Sequence, residues 1–252
     1  MFRPVLLFAI AVLTAVCCHA QGNSTLQVAA AADLQPVLPA LIAQFERQSH
    51  QKVEAAYASS ATLATQILNG GPFGLFLSAD FSFPQKVIAA GLAESAEPVP
   101  YARGTLVLWA RNDSPAQPIS MESLRRPSLR TVAVANPEHA PYGRAAEAAM
   151  EKLGLADVLR GKLVTAENIA QTAQYADSGN AQAGFLSLTS ALTPRLRADG
   201  KYVEMPESSY PPILQGAVVI KGPAAVEGRQ FLDFLLSAPI RKQLAESGLR
   251  AP

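Results

Sequence analysis

The sequence predicts an α/β protein built as two lobes, each a mainly parallel sheet flanked by helices. Three observations carry this. Strand-like apolar runs alternate with helical stripes between residues 26 and 90, in the order β-α-β-α-β-α. A second strand and helix set begins near residue 104. The chain has 252 residues, 49% hydrophobic and 16% charged, which suffices to bury a large core and lies far from the composition of a disordered chain.

The first element is a leader, not part of the fold. Residues 1–20 read MFRPVLLFAIAVLTAVCCHA, with Arg3 ahead of an apolar run over 5–18 and the small residue Ala20 at the end. This is the layout of a secretory signal peptide, and the run is shorter than the about 20 residues that cross a bilayer. An uncleaved membrane anchor is the alternative. Both cysteines, Cys17 and Cys18, leave with the leader, so the exported chain has no disulfide, no thiolate metal site and no cysteine nucleophile. Lipidation at Cys17 or Cys18 is a minor alternative, because Thr14-Ala15-Val16 matches poorly the small-residue run that precedes such a cysteine. Of the 21 basic residues only Arg3 lies in the leader, and no acidic residue does, which leaves 20 of each sign. A chain without basic excess is not built to bind nucleic acid.

The exported chain opens with a strand over 26–32. Asp33 then stands where an N-cap belongs, and Leu34, Val37, Leu38, Leu41, Ile42 and Phe45 draw one apolar helical stripe. Pro36 falls in the first turn of that helix, whereas Pro39 lies deeper and is expected to bend it. A strand over 52–58 is followed by Ser59-Ser60, a helix over 61–69 and the stop Gly70-Gly71. A buried strand over 75–78 and a helix over 83–90 close the first set. The second set starts with a long strand, GTLVLWAR, over 104–111 and a Pro/Ser-rich loop over 113–120. Strands over 131–135 and 184–188 and helices over 142–153 and 167–177 follow, then a return strand over 216–221, a helix over 224–236 and a short final helix. No internal repeat is visible. Chain crossings are expected near Arg103-Gly104 and near Ala217-Val218, which makes 21–103 with 218–252 lobe one and 104–217 lobe two.

Catalysis finds little support in these residues. After the leader only His50 and His139 remain, and there is no G-x-S-x-G, H-E-x-x-H, P-loop or G-x-G-x-x-G pattern. A secreted hydrolase is the alternative from a different class. The positive signal lies at the strand-to-helix junctions Ala32-Asp33, Ser59-Ser60, Tyr142-Gly143 and Asn168-Ile169. Helix starts present unpaired N–H groups and a partial positive charge, so several converging on one point make an anion site without Lys or Arg. Plain N-capping accounts for Asp33 and Ser60 taken singly.

At these same junctions the chain resembles a family. VAAAADL (28–34), Gln44-Phe45, ASSATLATQI (58–67), LFLSAD (75–80) and NPEHAPYGRAA (136–146), in this order, look like the molybdate-binding periplasmic proteins of ABC transporters. The resemblance implies the two-lobed periplasmic-binding-protein (type II) fold, with a cleft between the lobes that takes molybdate or tungstate. It implies no cofactor and no enzymatic activity. The implied partner is an ABC permease in the inner membrane, with the receptor itself a monomer in the periplasm. A receptor for another oxyanion is the alternative. Carried over position by position, the ligand-binding residues are Asp33, Ser60, Tyr142, Ile169 and Ser187. Asp33, Ser60, Tyr142 and Ile169 are expected to touch the oxygens of molybdate and not to ligate the metal itself. Asp33 stands where many members carry Ser, and Ser187 where some carry a ligand-binding Tyr, so Tyr142 is expected to supply the phenol that Ser187 does not. A carboxylate about 4 Å from a dianion is repelled by about 8 kcal/mol at an effective dielectric near 20. The Asp33 side chain is therefore expected to turn back and cap its own helix, leaving backbone N–H groups to face the anion.

Overall fold

The computed structural model describes residues 25–252; the leader expected at 1–20 lies outside the described residues. β1 (Leu26–Ala31) leads into a 3-10 turn at Ala32–Leu34 and then α1 (Leu38–Ser49). β2 (Val53–Ala58), α2 (Ser60–Leu68), β3 (Leu75–Ser78) and α3 (Ser82–Ala89) complete the first alternation. Pro39 does not bend a helix interior. α1 begins only at Leu38, so Pro39 sits in its first turn, where a missing N–H removes no intrahelical bond.

The strand expected over 104–111 is β5 (Leu106–Arg111), and a further strand, β4 (Val99–Gly104), which the sequence reading lacked, precedes it. The two meet at Thr105 and belong to different sheets. Beyond them run β6 (Val132–Ala135), α4 (Pro141–Lys152), α5 (Ala156–Leu159), β7 (Leu163–Ala166), α6 (Ile169–Ser178), β8 (Ala183–Ser187), α7 (Leu188–Ala191), α8 (Pro194–Asp199) and β9 (Gly200–Glu204). β10 (Ile213–Val219), α9 (Ala225–Leu236) and α10 (Ala238–Glu246) end the chain. β7, β9 and the short helices α5, α7 and α8 are additions to the sequence reading. β7 and β9 are the edge strands of their sheet and are only partly buried, which deprives them of a continuous apolar run.

Two five-stranded sheets result, ordered β2-β1-β3-β10-β4 and β7-β6-β8-β5-β9. In the first, β1 pairs in parallel with β2 and β3, and β10 runs antiparallel to β3 and β4. The second repeats the plan: β6 is parallel to β7 and β8, and β5 is antiparallel to β8 and β9. The chain leaves the first sheet after Gly104 and re-enters it at Ile213, ahead of the return expected at Ala217-Val218. Gln215 and Gly216 hide the beginning of β10 from a hydrophobicity reading. A polar residue and a glycine interrupt the apolar run, and the pairing with β4 shifts register between them.

The first sheet buries Val28, Ala30, Leu75 and Leu77 under α1, α9 and α10, where Phe45 packs edge-on against Phe231 with ring centres 4.9 Å apart. Its other face carries Ala29, Phe76 and Val218 under α2 and α3. One core cluster of the second sheet runs past its own lobe. It joins Leu106, Val134, Tyr142 and Ile169 to Ala31, Ala32 and Ala79 at the strand ends of the first. The lobes therefore meet in a packed apolar seam.

Candidate oxyanion site

The residues singled out in the sequence fall at the carboxyl ends of parallel strands. Asp33 follows β1, Ser60 follows β2, Ile169 follows β7, and Tyr142 stands past the loop after β6. Such strand ends are where ligands bind in α/β sheets. Here the ends of the two sheets face each other. Tyr142 Oη donates to Asp33 Oδ2 (3.1 Å), Thr189 Oγ1 donates to the Asp33 carbonyl (2.7 Å), and the Ala61 N–H donates to the His139 carbonyl (3.2 Å). At the rim Thr62 Oγ1 donates to Glu167 Oε1 (3.2 Å), Glu167 Oε2 pairs with His139 Nδ1 (3.2 Å), and Arg144 pairs with Asp80.

The helix starts leave particular donors over. At α2, Ser59 takes the Thr62 N–H on its side chain and the Leu63 N–H on its carbonyl, while the Ala61 N–H goes to His139. The Ser60 N–H takes no part in these bonds. The Ser60 hydroxyl oxygen accepts from the Ala79 N–H (3.1 Å), which leaves its own proton to donate. At α4, Pro141 has no N–H, and those of Gly143 and Arg144 turn to the Ala140 carbonyl. Tyr142 thus holds the first spare N–H of that helix. At α6 the Asn168 side chain takes the Gln171 N–H and its carbonyl takes that of Thr172, so the spare donors begin with Ile169. Three helix starts, each with a partial positive end, and the Ser60 hydroxyl are the kind of neutral donors that an anion can use.

Two glycines hold Tyr142 in place. A Cβ on Gly143 would lie 2.3 Å from the Ala135 carbonyl, so only glycine lets α4 start this close to β6. A Cβ on Gly104 would lie 2.2 Å from Tyr142 Oη, so the phenol rests against the crossover strand.

The side chain of Asp33 departs from expectation. It caps nothing, because Ala32–Leu34 is a single 3-10 turn without a side-chain cap. The carboxyl is instead wholly buried in the seam, where Oδ2 accepts from Tyr142 Oη and from Gln215 Nε2 of β10. Burial pushes its pKa up from 3.8 to about 6, against the opposing pull of the Gln215, Tyr142 and backbone hydrogen bonds. Burial, and then the Asp33 charge, raise the Tyr142 and Tyr101 phenols well above their ordinary value, so both are neutral donors. Tyr101 Oη donates to the Ser78 carbonyl (3.3 Å).

Ser187 is not brought to the cradle. Its hydroxyl caps α7 by accepting from the Ser190 N–H and bonds Thr189 Oγ1 (2.8 Å), which in turn reaches the Asp33 carbonyl. It stands one hydrogen bond behind the site. Gln215, Thr189 and Glu167 were missed in the sequence. Only Gln215 left a trace there, as a lone polar residue inside an apolar strand.

A family model described as bacterial extracellular solute-binding protein matches residues 26–250. The molybdate-binding protein ModA of Rhodobacter capsulatus is 37% identical over 194 residues, covering 77% of this chain and 75% of that protein. ModA of Azotobacter vinelandii is 33% identical over 223 residues, 86% of each chain. The solved structure of the Azotobacter vinelandii periplasmic molybdate-binding protein superposes with a TM-score of 0.82 at 29% identity, covering 90% of this chain and 99% of that one.

Proposed function

We propose that this chain, which belongs to the bacterial extracellular solute-binding protein family, is an exported receptor that captures molybdate or tungstate between its lobes and delivers it to an ABC permease. The observation that carries this reading is the set of spare N–H donors at Ser60, Tyr142 and Ile169, gathered where the two sheets face each other. Neutral donors of this kind hold a fully ionised tetrahedral dianion through charge-assisted hydrogen bonds. They offer no plain acceptor to the hydroxyl of a protonated phosphate. The relatives named as molybdate-binding, at 37% and 33% identity, support the choice of anion.

In this reading the anion is cargo and no bond of it is broken. His139 serves the rim through Glu167 and the Ala61 N–H rather than activating a nucleophile. The lobes hinge at Thr105 and within 205–212, the two stretches that join the sheets. Export rests on the leader at 1–20, and delivery requires the loaded, closed shape to be what the permease recognises.

Titration calorimetry of the purified protein with molybdate, tungstate, sulfate and phosphate tests the reading. Tight one-to-one binding of the first two and weak binding of the others is expected. Small-angle scattering should show compaction at saturating molybdate, as hinge closure requires. Equal affinity for all four anions, or none for any, would sink it.

A further inference from the structure

Asp33 and Gln215 form an incomplete pair. A carboxylate only accepts hydrogen bonds, and a carboxamide has one NH2 donor and one oxygen acceptor. Gln215 Nε2 donates to Asp33 Oδ2, which joins the two groups once. Their other oxygens, Asp33 Oδ1 and Gln215 Oε1, are both buried and both without a partner. Two acceptors orphaned on groups that already share a hydrogen bond lack the same thing, a proton between them. Buried polar atoms are nearly always satisfied, so a coincident double default on one pair calls for an explanation. One proton on Oδ1 supplies it, closing a carboxylic acid–carboxamide ring of two hydrogen bonds.

The surroundings favour the neutral acid. The Tyr142 and Gln215 donors pull toward the ionised form but are outweighed by burial, Tyr142 from α4 and Tyr101 from β4 bring no positive charge, and Thr189 of α7 reaches Asp33 only at its carbonyl. The 3-10 turn also packs against α6 and β2. The titratable groups of α6 are Tyr175 and Asp177, the latter paired with Arg195, and those of β2 are Glu54, bonded to Gln27, and Tyr57, whose shift comes from burial alone. No Lys, Arg or His is among the groups that act on the Asp33 charge. A dianion held at the neighbouring N–H groups would add a further cost to a negative Asp33.

We infer that in the closed, anion-loaded protein Asp33 is a carboxylic acid that donates Oδ1–H to Gln215 Oε1, so that capture of the dianion takes up one proton. The inference rests on the reading of the cleft as an oxyanion site. The balance is simple: open protein with ionised Asp33, one dianion and one solvent proton give a closed complex with neutral Asp33. When the lobes part, the carboxyl meets water again and the proton leaves with the anion. Gln215 is then a positioning residue, acting on the anion only through the protonation state of Asp33.

The test is calorimetric titration of the purified protein with molybdate at pH 6, 7 and 8, in pairs of buffers of different ionisation enthalpy. Near pH 7 close to one proton should be taken up per anion. The affinity should fall as pH rises, approaching about tenfold per unit by linkage. Asp33→Asn, whose amide can make both ring bonds without a titrating proton, should take up none and show a flat pH profile. Gln215→Ala, which removes the ring, should bind less tightly at pH 6 and take up less than one proton at pH 7. Molybdate binding by the parent without proton uptake overturns the inference and leaves the proposed function standing. Tight binding of hydrogen phosphate without proton uptake also overturns it, since the spare Asp33 oxygen would then be serving the hydroxyl of the anion. No binding of molybdate at any of these pH values removes the proposed function and the coupling together.

Discussion

Tyr142 Oη lies 3.1 Å from Asp33 Oδ2, a hydrogen bond that ties the start of α4 in one lobe to the end of β1 in the other. The phenol of Tyr142 is thus committed to a protein carboxyl, and its backbone N–H is the group left for the anion.

Tyr142→Phe should therefore weaken molybdate binding only by loosening closure. A hydrogen bond to a neutral acid contributes about 1 kcal/mol, or about fivefold in affinity. Titration calorimetry at pH 7 checks this. A loss beyond about a hundredfold would mean that the phenol touches the anion itself. Adding Ser187→Tyr should not restore the loss, because residue 187 starts α7 behind the Asp33 carbonyl.

Ser60→Ala should lower both affinity and stability. The substitution removes a hydroxyl donor to a charged ligand, worth about 1.5–3 kcal/mol or about 10- to 150-fold in affinity. It also strips the Ala79 N–H of its acceptor in a buried position, a cost of about 1–3 kcal/mol. Calorimetry and a thermal melt on the same sample separate the two effects. A lower melting temperature with unaltered affinity would confine Ser60 to structure.

Asp33→Asn should stabilise the closed conformation, in which this carboxyl is buried, at pH 7. Burial raises the native pKa of Asp33 from 3.8 to about 6, so between those values the folded state holds more protons than the unfolded one. Stability from this group is complete below about pH 4, falls as pH rises, and is lost above about pH 6. A shift of that size corresponds to about 3 kcal/mol. Urea unfolding should show the variant ahead of the parent by up to that amount at pH 7, with the gap closing at pH 4. A gap independent of pH refutes the assignment.

Glu167→Gln should speed release of the anion slightly. Glu167 accepts from Thr62 across the rim and pairs with His139 within its own lobe. Both Glu167 and His139 are well exposed, and ion pairs in such settings contribute little. A stopped-flow displacement experiment should find the off-rate raised by less than about fivefold, with the on-rate unchanged. A large drop in on-rate would show that the rim guides the anion in.

The alternation of strands and helices was legible in the residues because it depends on local pattern. Apolar runs such as LFLS at 75–78 and stripes such as Leu38, Leu41 and Phe45 report their burial directly. Ser60, Tyr142 and Ile169 were legible for a related reason: a helix start is a local event with a local signature of small, capping or Pro residues. Sequence alone placed these in a single cleft only through resemblance to a family. Two features lay beyond local pattern. β4 escapes hydrophobic periodicity, because Val99, Pro100 and Arg103 are not buried and its apolar run is short, while the strand that follows it, β5, is buried along most of its length. From the sequence, Asp33 reads as a cap, since capping is what an Asp after a strand does when nothing else is near. What is near is set by β10, which enters 182 residues later and lays Gln215 against the carboxyl. The sequence determined the strands that carry apolar runs and the starts of α2, α4 and α6. The tertiary structure decided which side chains meet at the seam, because the charge state and partners of a buried carboxyl depend on groups brought together by pairing between distant strands.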